Sequence, residues 1–266
     1  MIDITVVQNH AALENKIKNF ENVDFLLKDI DGTDLIVLPE LFATGWDCEN
    51  YSRVAESVEN SSILNFLSNL AKKHRSNVVG GSFVRKCSDG SLKNSCPFFD
   101  RNGNLIALYD KMHLYSYLGD TEGQNCSCGN SPVLVSSDIG KIGLSVCYDV
   151  RFPELFRNYT FAGADILVNV AAWSIRKKYQ LQTLSAARAM ENQIFFVEVS
   201  QTGKIKGDAV NMGHSAVIDP LGNIVASAGT EETAFHVKID LNDSKNLRKT
   251  VKTLEDTHSQ YIVTEV

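Results

Sequence analysis

Cys147 ends a short apolar stretch, Ile142 to Val146, and a polar turn separates it from Pro153. The pattern reads as a strand, a turn, and a helix with proline in its first turn, where a missing N–H is tolerated. Such a turn lifts one side chain above the end of a sheet, beside a helix N-terminus whose partial positive charge favours a thiolate. A cysteine so placed is a candidate nucleophile. A lone cysteine is more often a buried core thiol, so the choice rests on what else the chain sets at its strand ends.

Glu40 follows the apolar run Leu35-Ile36-Val37-Leu38 and precedes Leu41-Phe42. A carboxylate in such surroundings should have a raised pKa, as a general base needs; the plain alternative is an exposed turn residue. Lys111 ends the run Leu108-Tyr109-Asp110. Alone it reads as a solvated lysine, but beside a cysteine nucleophile it can stabilise an oxyanion. His113 reads either as a base for Cys147 or as a structural hydrogen-bonding group. Glu122 reads on its own as a solvated loop carboxylate. Asp149 and Arg151 can pair with each other or cap the following helix, and Arg151 can equally present its guanidinium fork to a substrate carboxylate. Glu40, Lys111 and Cys147 each stand at the C-terminal end of a predicted strand, where α/β sheets build their sites. Cysteine to attack, glutamate to move protons and lysine to hold an oxyanion describe an acyl-transfer site. This reasoning reaches a cysteine hydrolase and names no substrate.

The elements that must position these groups follow from periodicity. Ile4 to Val7 reads as a strand, and Ala11 to Ile30 as an amphipathic helix with Leu13, Ile17, Phe20 and Leu27 on its apolar side. Leu35 to Leu38 is a strand buried on both faces. Ser61 or Ser62 caps a helix carrying Ile63, Leu67, Leu70 and Ala71. Asn77 to Val84 is strand-like, with Gly80-Gly81 marking a close backbone approach. Phe98 to Tyr109 is a hairpin turned at residues 100–104, and Met112 to Ser131 is irregular, which in a compact domain suggests function. After the helix from Pro153, with Gly163 at its C-terminal end, come a buried strand (Asp165 to Val170), a helix through Leu181, Leu184 and Ala189, and a strand from Ile194 to Val199. A second hairpin, Ser215 to Ile218 with Asn223 to Ser227, precedes a last strand at Phe235 to Ile239 and a charged C-terminal segment. Hairpins mixed with strand–helix units predict one α/β domain of mixed sheets over residues 1–266.

Composition narrows the class. The chain has 266 residues, 44% hydrophobic and 22% charged, ordinary for a globular domain. A net charge of -6 gives no basic footprint for nucleic acid or an anionic membrane. No apolar run approaches the length of a bilayer span, and the N-terminus lacks a secretory leader, so a cytoplasmic protein is expected. The cysteines are Cys48, Cys87, Cys96, Cys126, Cys128 and Cys147. The chain is too long and core-rich to need a disulfide framework, and Cys126-Ser127-Cys128 lacks zinc-site spacing; free thiols and no metal are expected.

Three separated motifs resemble the nitrilase superfamily of carbon–nitrogen hydrolases: Leu38-Pro39-Glu40-Leu41-Phe42, Tyr109 through Leu114, and Gly143 through Phe156. Ala187 through Gln193 and Gly213 through Gly222 support the match. The resemblance implies a four-layer α-β-β-α sandwich, usually a homodimer through helix packing, with no metal or organic cofactor. It implies Glu40 as general base, Lys111 as oxyanion donor and Cys147 as nucleophile. The second glutamate of the family falls on Glu122, seven residues before Gly129, and the Tyr148 N–H would complete the oxyanion hole. Cys147 through Glu154 is similar to the ω-amidase and deaminated-glutathione-amidase branches. The segment Asn169 to Trp173 with Arg176 is most similar to bacterial ω-amidases, which release ammonia from 2-oxoglutaramate-type monoamides. The substrate implied is a small ω-amide of a dicarboxylate, with Arg151, or else Arg176, on the distal carboxylate and Trp173 in the pocket. An N-carbamoyl or ureido hydrolase and a catalytically silent binding module share the fold. This chain carries Gln180-Leu181 where those amidases often have His-Trp.

Overall fold

Alternation along β1 (Ile2–Gln8) sends Ile4 and Val6 into one apolar cluster and Val7 into another, because successive strand side chains face opposite ways. The same split recurs in β2 (Leu35–Val37), where Leu35 and Val37 join the first cluster and Ile36 the second. One sheet is therefore covered on both faces. The structure is a computed structural model that describes residues 1–117, 120–205, 207–258 and 262–265.

Between these strands lies α1 (Lys16–Leu26); beyond them come the one-turn α2 (Tyr51–Val54) and α3 (Ser62–His74). Strands β3 (Asn77–Val79), β4 (Phe83–Lys86), β5 (Leu92–Phe99) and β6 (Leu105–Asp110) complete the first sheet together with the last strand of the chain. The two-residue strands β7 (Ser116–Tyr117) and β8 (Asp120–Thr121) pair with each other. The second sheet takes β9 (Leu134–Ser137) and β10 (Gly140–Val146), then β11 (Ile166–Ala171) after α4 (Pro153–Phe161), and β12 (Phe195–Ser200) after α5 (Lys178–Asn192). A small hairpin, β13 (Thr202–Lys204) with β14 (Val210–Met212), leads to β15 (Ala216–Ile218) and β16 (Ile224–Ser227) at that sheet's edge. The chain returns to the first sheet as β17 (Thr233–Ile239) and ends past α6 (Asn242–Thr250).

Each sheet has a parallel centre, β1-β2-β3 in one and β10-β11-β12 in the other, flanked by antiparallel strands. Val23 and Leu27 from the α1 segment and Leu67 and Leu70 of α3 pack on one face of the first sheet, with Ile36 and Val78. The other cluster joins Ile4, Leu35 and Phe98 of the first sheet to Leu144, Val168 and Val197 of the second, and continues into Phe156 of α4 and Leu181 of α5. The layering is consistent with an α-β-β-α sandwich, and the sheets are mixed as expected.

Some boundaries differ from the sequence pattern. Helix α1 starts at Lys16, not Ala11, because Asn19 ties down the preceding turn: its side chain accepts from the Ala12 N–H and donates to the Ala12 carbonyl, both at 2.8 Å. Ile17, expected on the apolar side, is exposed. The strand expected over Asn77 to Val84 breaks at Gly80-Gly81 into β3 and β4. Gly81 has φ +58, and a Cβ there would lie 2.0 Å from the Pro39 carbonyl oxygen. Strands β9, β13 and β14 are too short and polar to show a period. Residues 118 and 119 of the irregular stretch, and 259–261 and 266 of the C-terminal segment, lie outside the described residues.

Candidate active site

Glu40 hangs from the end of β2. The Leu38 N–H still donates to Val79 at 3.0 Å, and three residues later the chain turns through Leu41 at φ +51, whose N–H donates to Ser82 Oγ at 3.1 Å. The turn aims Glu40 inward, where it is fully buried. Oε1 accepts from Asn94 Nδ2 at 2.9 Å and Lys111 Nζ at 3.0 Å, and Oε2 accepts from the Ala172 N–H at 2.8 Å. The Gln201 side chain donates to the Glu40 carbonyl at 2.6 Å. Ala172 and Gln201 follow β11 and β12, so strand ends of the second sheet fix a carboxylate carried by the first.

Lys111 follows β6, with its N–H on the Asn94 carbonyl at 2.9 Å and its own carbonyl accepting from Gly129 at 2.8 Å. Its side chain is fully buried between Glu40 and Glu122, whose Oε2 is 2.8 Å from Nζ. Glu122 opens a 3₁₀ turn after β8. Its Oε1 accepts from Tyr51 and Asn94, each at 3.0 Å, and its Oε2 also accepts from the Tyr115 N–H at 3.0 Å. Neither Lys111 nor Glu122 is the solvated residue that the sequence alone allows.

Cys147 follows β10 as the first residue of a 3₁₀ turn to Arg151, with φ +51. A side chain beyond glycine occupies that region at a cost of about 1–3 kcal/mol. Asp149, fully buried, holds the turn: Oδ2 accepts from the Val146 N–H at 2.9 Å and Tyr109 Oη at 2.7 Å, and Oδ1 accepts from the His113 N–H at 3.0 Å. His113 Nδ1 lies 2.8 Å from the same oxygen, and the imidazole stacks on Phe152 with centroids 3.6 Å apart. His113 thus braces the turn through Asp149 and Phe152. Asp149 caps the turn and makes no pair with Arg151, which faces elsewhere.

The electrostatics divide the labour. Burial raises the Glu40 pKa; Lys111 lowers it and Glu122 raises it, and the balance stays above the ordinary carboxylate value. Burial also works against Glu122, but Lys111 and the donated hydrogen bonds hold it below the usual range. Burial works against the Lys111 cation, yet the two carboxylates hold it well above the ordinary lysine value. Burial and the Glu40 charge keep Cys147 well above the usual thiol value. The thiolate expected from a helix end is therefore not the resting state, because a short turn's dipole is outweighed by a dry pocket and a facing carboxylate. Pairs of acids with divergent pKa values mark divided roles. Glu122 remains the anion that anchors Lys111, and Glu40 is the group able to take up the Cys147 proton.

Aromatic rings form the rim. The Arg151 guanidinium lies 5.0 Å from the Trp173 ring, 5.3 Å from Tyr148 and 5.5 Å from Tyr117, and it donates to Gln180 Oε1 at 2.6 Å. Lys177 Nζ donates to Tyr115 Oη at 2.7 Å and lies 4.5 Å from the Tyr117 ring. Trp173 is buried, with Nε1 donating to the Lys177 carbonyl at 2.9 Å. Arg176 points to solvent, with no ion pair or hydrogen bond to the site among the described residues; the neighbouring cation at the rim is Lys177. Sequence reasoning missed Asn94, Tyr51, Lys177 and the Gln180 contact. None of them left a signal of its own: Asn94, for instance, stands between Lys93 and Ser95 in the polar half of β5. The six cysteines are free thiols, and among the described residues no three His, Cys, Asp or Glu side chains are grouped to hold a metal ion.

Known proteins similar in sequence and fold identify the family. A family model described as carbon–nitrogen hydrolase matches residues 4–249. The chain is 34% identical over 255 residues to the 2-oxoglutaramate amidase of Bacillus subtilis (strain 168), covering 95% of this chain and 96% of that one. It is 31% identical to omega-amidase NIT2 of Bos taurus, covering 83% and 81%. A solved CN-hydrolase superfamily protein from Xanthomonas campestris, described with an arsenic adduct in its active site, superposes with a TM-score of 0.90 at 26% identity over 98% of this chain and 99% of that one. Saccharomyces cerevisiae Nit3, a member of branch 10 of the nitrilase superfamily, gives 0.86 at 28% identity over 94% of each chain. With the family model spanning nearly the whole sequence and relatives above 30% identity covering most of it, the chain belongs to the carbon–nitrogen hydrolase family.

Proposed function

We propose that the chain is an amidase that hydrolyses the ω-amide of a small dicarboxylate, of the 2-oxoglutaramate type, through a thioester on Cys147. The observation that carries this reading is the buried Glu40–Lys111–Glu122 cluster set against Cys147, below a rim where Arg151 and Lys177 stand among aromatic rings. The names of the relatives in Bacillus subtilis and Bos taurus support the same substrate class.

Glu40 takes the proton from Cys147 Sγ as the sulfur attacks the amide carbonyl carbon, so no free thiolate need accumulate in the dry pocket. The carbonyl oxygen becomes an oxyanion, met by Lys111 Nζ and the Tyr148 N–H. As the C–N bond breaks, Glu40 returns its proton to the leaving nitrogen and ammonia departs. Glu40 then accepts a proton from water attacking the thioester, and the sulfur leaves and regains a proton as the carboxylic acid is released. Glu122 acts through Lys111, fixing its position and charge. Arg151, backed by Trp173 and held by Gln180, receives the distal carboxylate; Arg176 is too exposed for that role.

The same reading places the enzyme in the cytoplasm as a homodimer or larger homo-oligomer of a single domain, with the segment from about residue 241 as a contact candidate. The exposed Tyr179 and Met190 of α5 support a helix-mediated contact. No helix among the described residues is long and apolar enough to cross a membrane. The test is a panel of ω-amides and carbamoyl compounds assayed for ammonia, with Cys147→Ala as the blank. Ammonia from 2-oxoglutaramate in the parent protein and none in the variant is the expected result. Equal release by the variant would sink the mechanism, and carbon dioxide appearing with the ammonia would move the substrate to the carbamoyl class.

A further inference from the structure

Glu40 and Glu122 are both buried and both bonded to Lys111, yet amide hydrolysis needs only one of them to take up a proton. A carboxylate has about four lone-pair sites, two on each oxygen, and a proton enters without displacing a donor only where one stays open. At Glu122 all four are taken. Oε1 accepts from Tyr51 Oη and Asn94 Nδ2, each at 3.0 Å, and Oε2 accepts from Lys111 Nζ at 2.8 Å and the Tyr115 N–H at 3.0 Å. Glu40 receives three donors among the described residues. Oε1 accepts from Asn94 at 2.9 Å and Lys111 at 3.0 Å, and Oε2 accepts from the Ala172 N–H at 2.8 Å. Its open site is therefore on Oε2.

Asn94 contributes to both sets. It lies in β5, fully buried, and its amide places one N–H on each carboxylate. Its neighbours fix the amide orientation, because both Oε1 atoms can only accept; Oδ1 has no partner among the described residues. The Asn94 carbonyl also accepts from the Lys111 N–H at 2.9 Å, so one residue holds the lysine by its main chain and the two carboxylates by its side chain. The ionisable groups bearing on this cluster come from several elements. Lys111, Glu122 and Cys147 face Glu40, Tyr51 and Cys126 face Glu122, and the Glu40 charge reaches Glu198. Of these only Lys111 is hydrogen-bonded to both carboxylates, and Asn94 is its neutral counterpart.

Given Glu40 as the general base proposed above, we propose that Asn94 is a positioning residue that selects which carboxylate, and which of its oxygens, receives the Cys147 proton. Its N–H on Glu122 Oε1 closes that carboxylate as a competing base. Its N–H on Glu40 Oε1, together with Lys111, leaves Oε2 as the acceptor. The Sγ–H bond of Cys147 breaks as the sulfur electron pair attacks the amide carbon, and the proton forms an O–H bond at Glu40 Oε2.

The test follows iodoacetamide alkylation of Cys147 and turnover of 2-oxoglutaramate across pH, in the full-length parent protein and in Asn94→Leu, Asn94→Ser and Tyr51→Phe. An N–H donated to a carboxylate favours its ionised form. In Asn94→Leu the alkylation limb should therefore move up by about 1–2 pH units, the worth of a hydrogen bond to a charged group. Below the limb kcat should fall by about tenfold to a hundredfold and recover above it, with KM changed little. Asn94→Ser, which keeps a single hydroxyl donor, should shift the limb the same way but less, and it carries the test if Asn94→Leu does not fold. Tyr51→Phe opens a site on Glu122 alone. Its limb should stay or move down, because a Glu122 that gains a proton no longer raises the Glu40 pKa by its charge. The proposal is overturned if neither Asn94 variant shifts the limb, or if Tyr51→Phe shifts it upward as far as they do. Either result leaves Glu40 standing as the base, whereas a parent protein with no limb that Glu40→Gln removes would overturn the base and this role of Asn94 together.

Discussion

The Ala172 N–H donates to Glu40 Oε2 at 2.8 Å, joining residues 132 positions apart and carried by different sheets. With Oε1 already shared between Asn94 and Lys111, the carboxylate is fixed from three directions. A general base gains most from such fixing, since a misplacement of about 1 Å costs on the order of a hundredfold in rate.

Because the Cys147 thiol is held far above its usual pKa and Glu40 only above the carboxylate range, alkylation of Cys147 should follow Glu40. A raised carboxyl must lose its proton before it can accept one from sulfur, so the iodoacetamide rate should rise as pH increases through the Glu40 pKa, well before free thiols ionise. In Glu40→Gln that limb should vanish, and kcat for 2-oxoglutaramate should drop by about 10²–10⁴. A single limb at the ordinary thiol range in the parent protein would argue against the base.

Lys111→Met should destabilise the fold by about 3–5 kcal/mol at neutral pH, because it leaves Glu40 and Glu122 buried without their cation. The sign of the pH effect follows. Without Lys111 both carboxyls have folded pKa values above their unfolded ones, and a group raised in this way loses stability as pH rises from the unfolded towards the folded value. The deficit should therefore shrink on acidification towards pH about 5. Urea melts at the two pH values check this, and a deficit that stays constant would mean the carboxylates are not coupled through Lys111.

The sequence exposed Glu40, Lys111 and Cys147 because each ends an apolar run, and a strand's end is visible in its own residues. Glu122 has no such signal. Its spacing to Gly129 marks it only through a known family, and the structure supplies the reason: Gly129 donates to the Lys111 carbonyl, and a Cβ there would lie 2.1 Å from the Asp110 carbonyl oxygen. Asn94, Tyr51 and Gln180 were illegible because their partners are tens of residues away and one polar residue does not announce which distant group it meets. The Cys147 charge state was misread for a different reason. Dipole arguments are local, while the facing carboxylate arrives from the other sheet.

Arg151 is held between three rings and Gln180 Oε1, which sets its fork before a substrate arrives. Gln180→Ala should raise KM for 2-oxoglutaramate by about tenfold, and Arg151→Gln by about tenfold to a hundredfold, with smaller effects on kcat. Butyramide, which has no distal carboxylate, should lose far less in either variant. Equal losses for both amides would assign Arg151 to the fold and not to recognition. The KM and kcat pairs for the two substrates decide it.

Gly81 tests whether the turn below Glu40 is set by backbone contact. Its φ of +58 costs an alanine roughly 1–2 kcal/mol, and the added Cβ would fall 2.0 Å from the Pro39 carbonyl oxygen, a distance that backbone must relieve by moving. Gly32, at φ +68 with nothing within 4 Å, offers the same backbone cost without the contact. Gly32→Ala should therefore lower stability by about 1 kcal/mol and leave kcat alone. Gly81→Ala should lose more stability and also reduce kcat, since displacing Pro39 displaces Glu40, the next residue. Denaturant midpoints and turnover for the two variants separate the terms. If Gly81→Ala matched Gly32→Ala in both measurements, the close approach at Pro39 would not be what places the base.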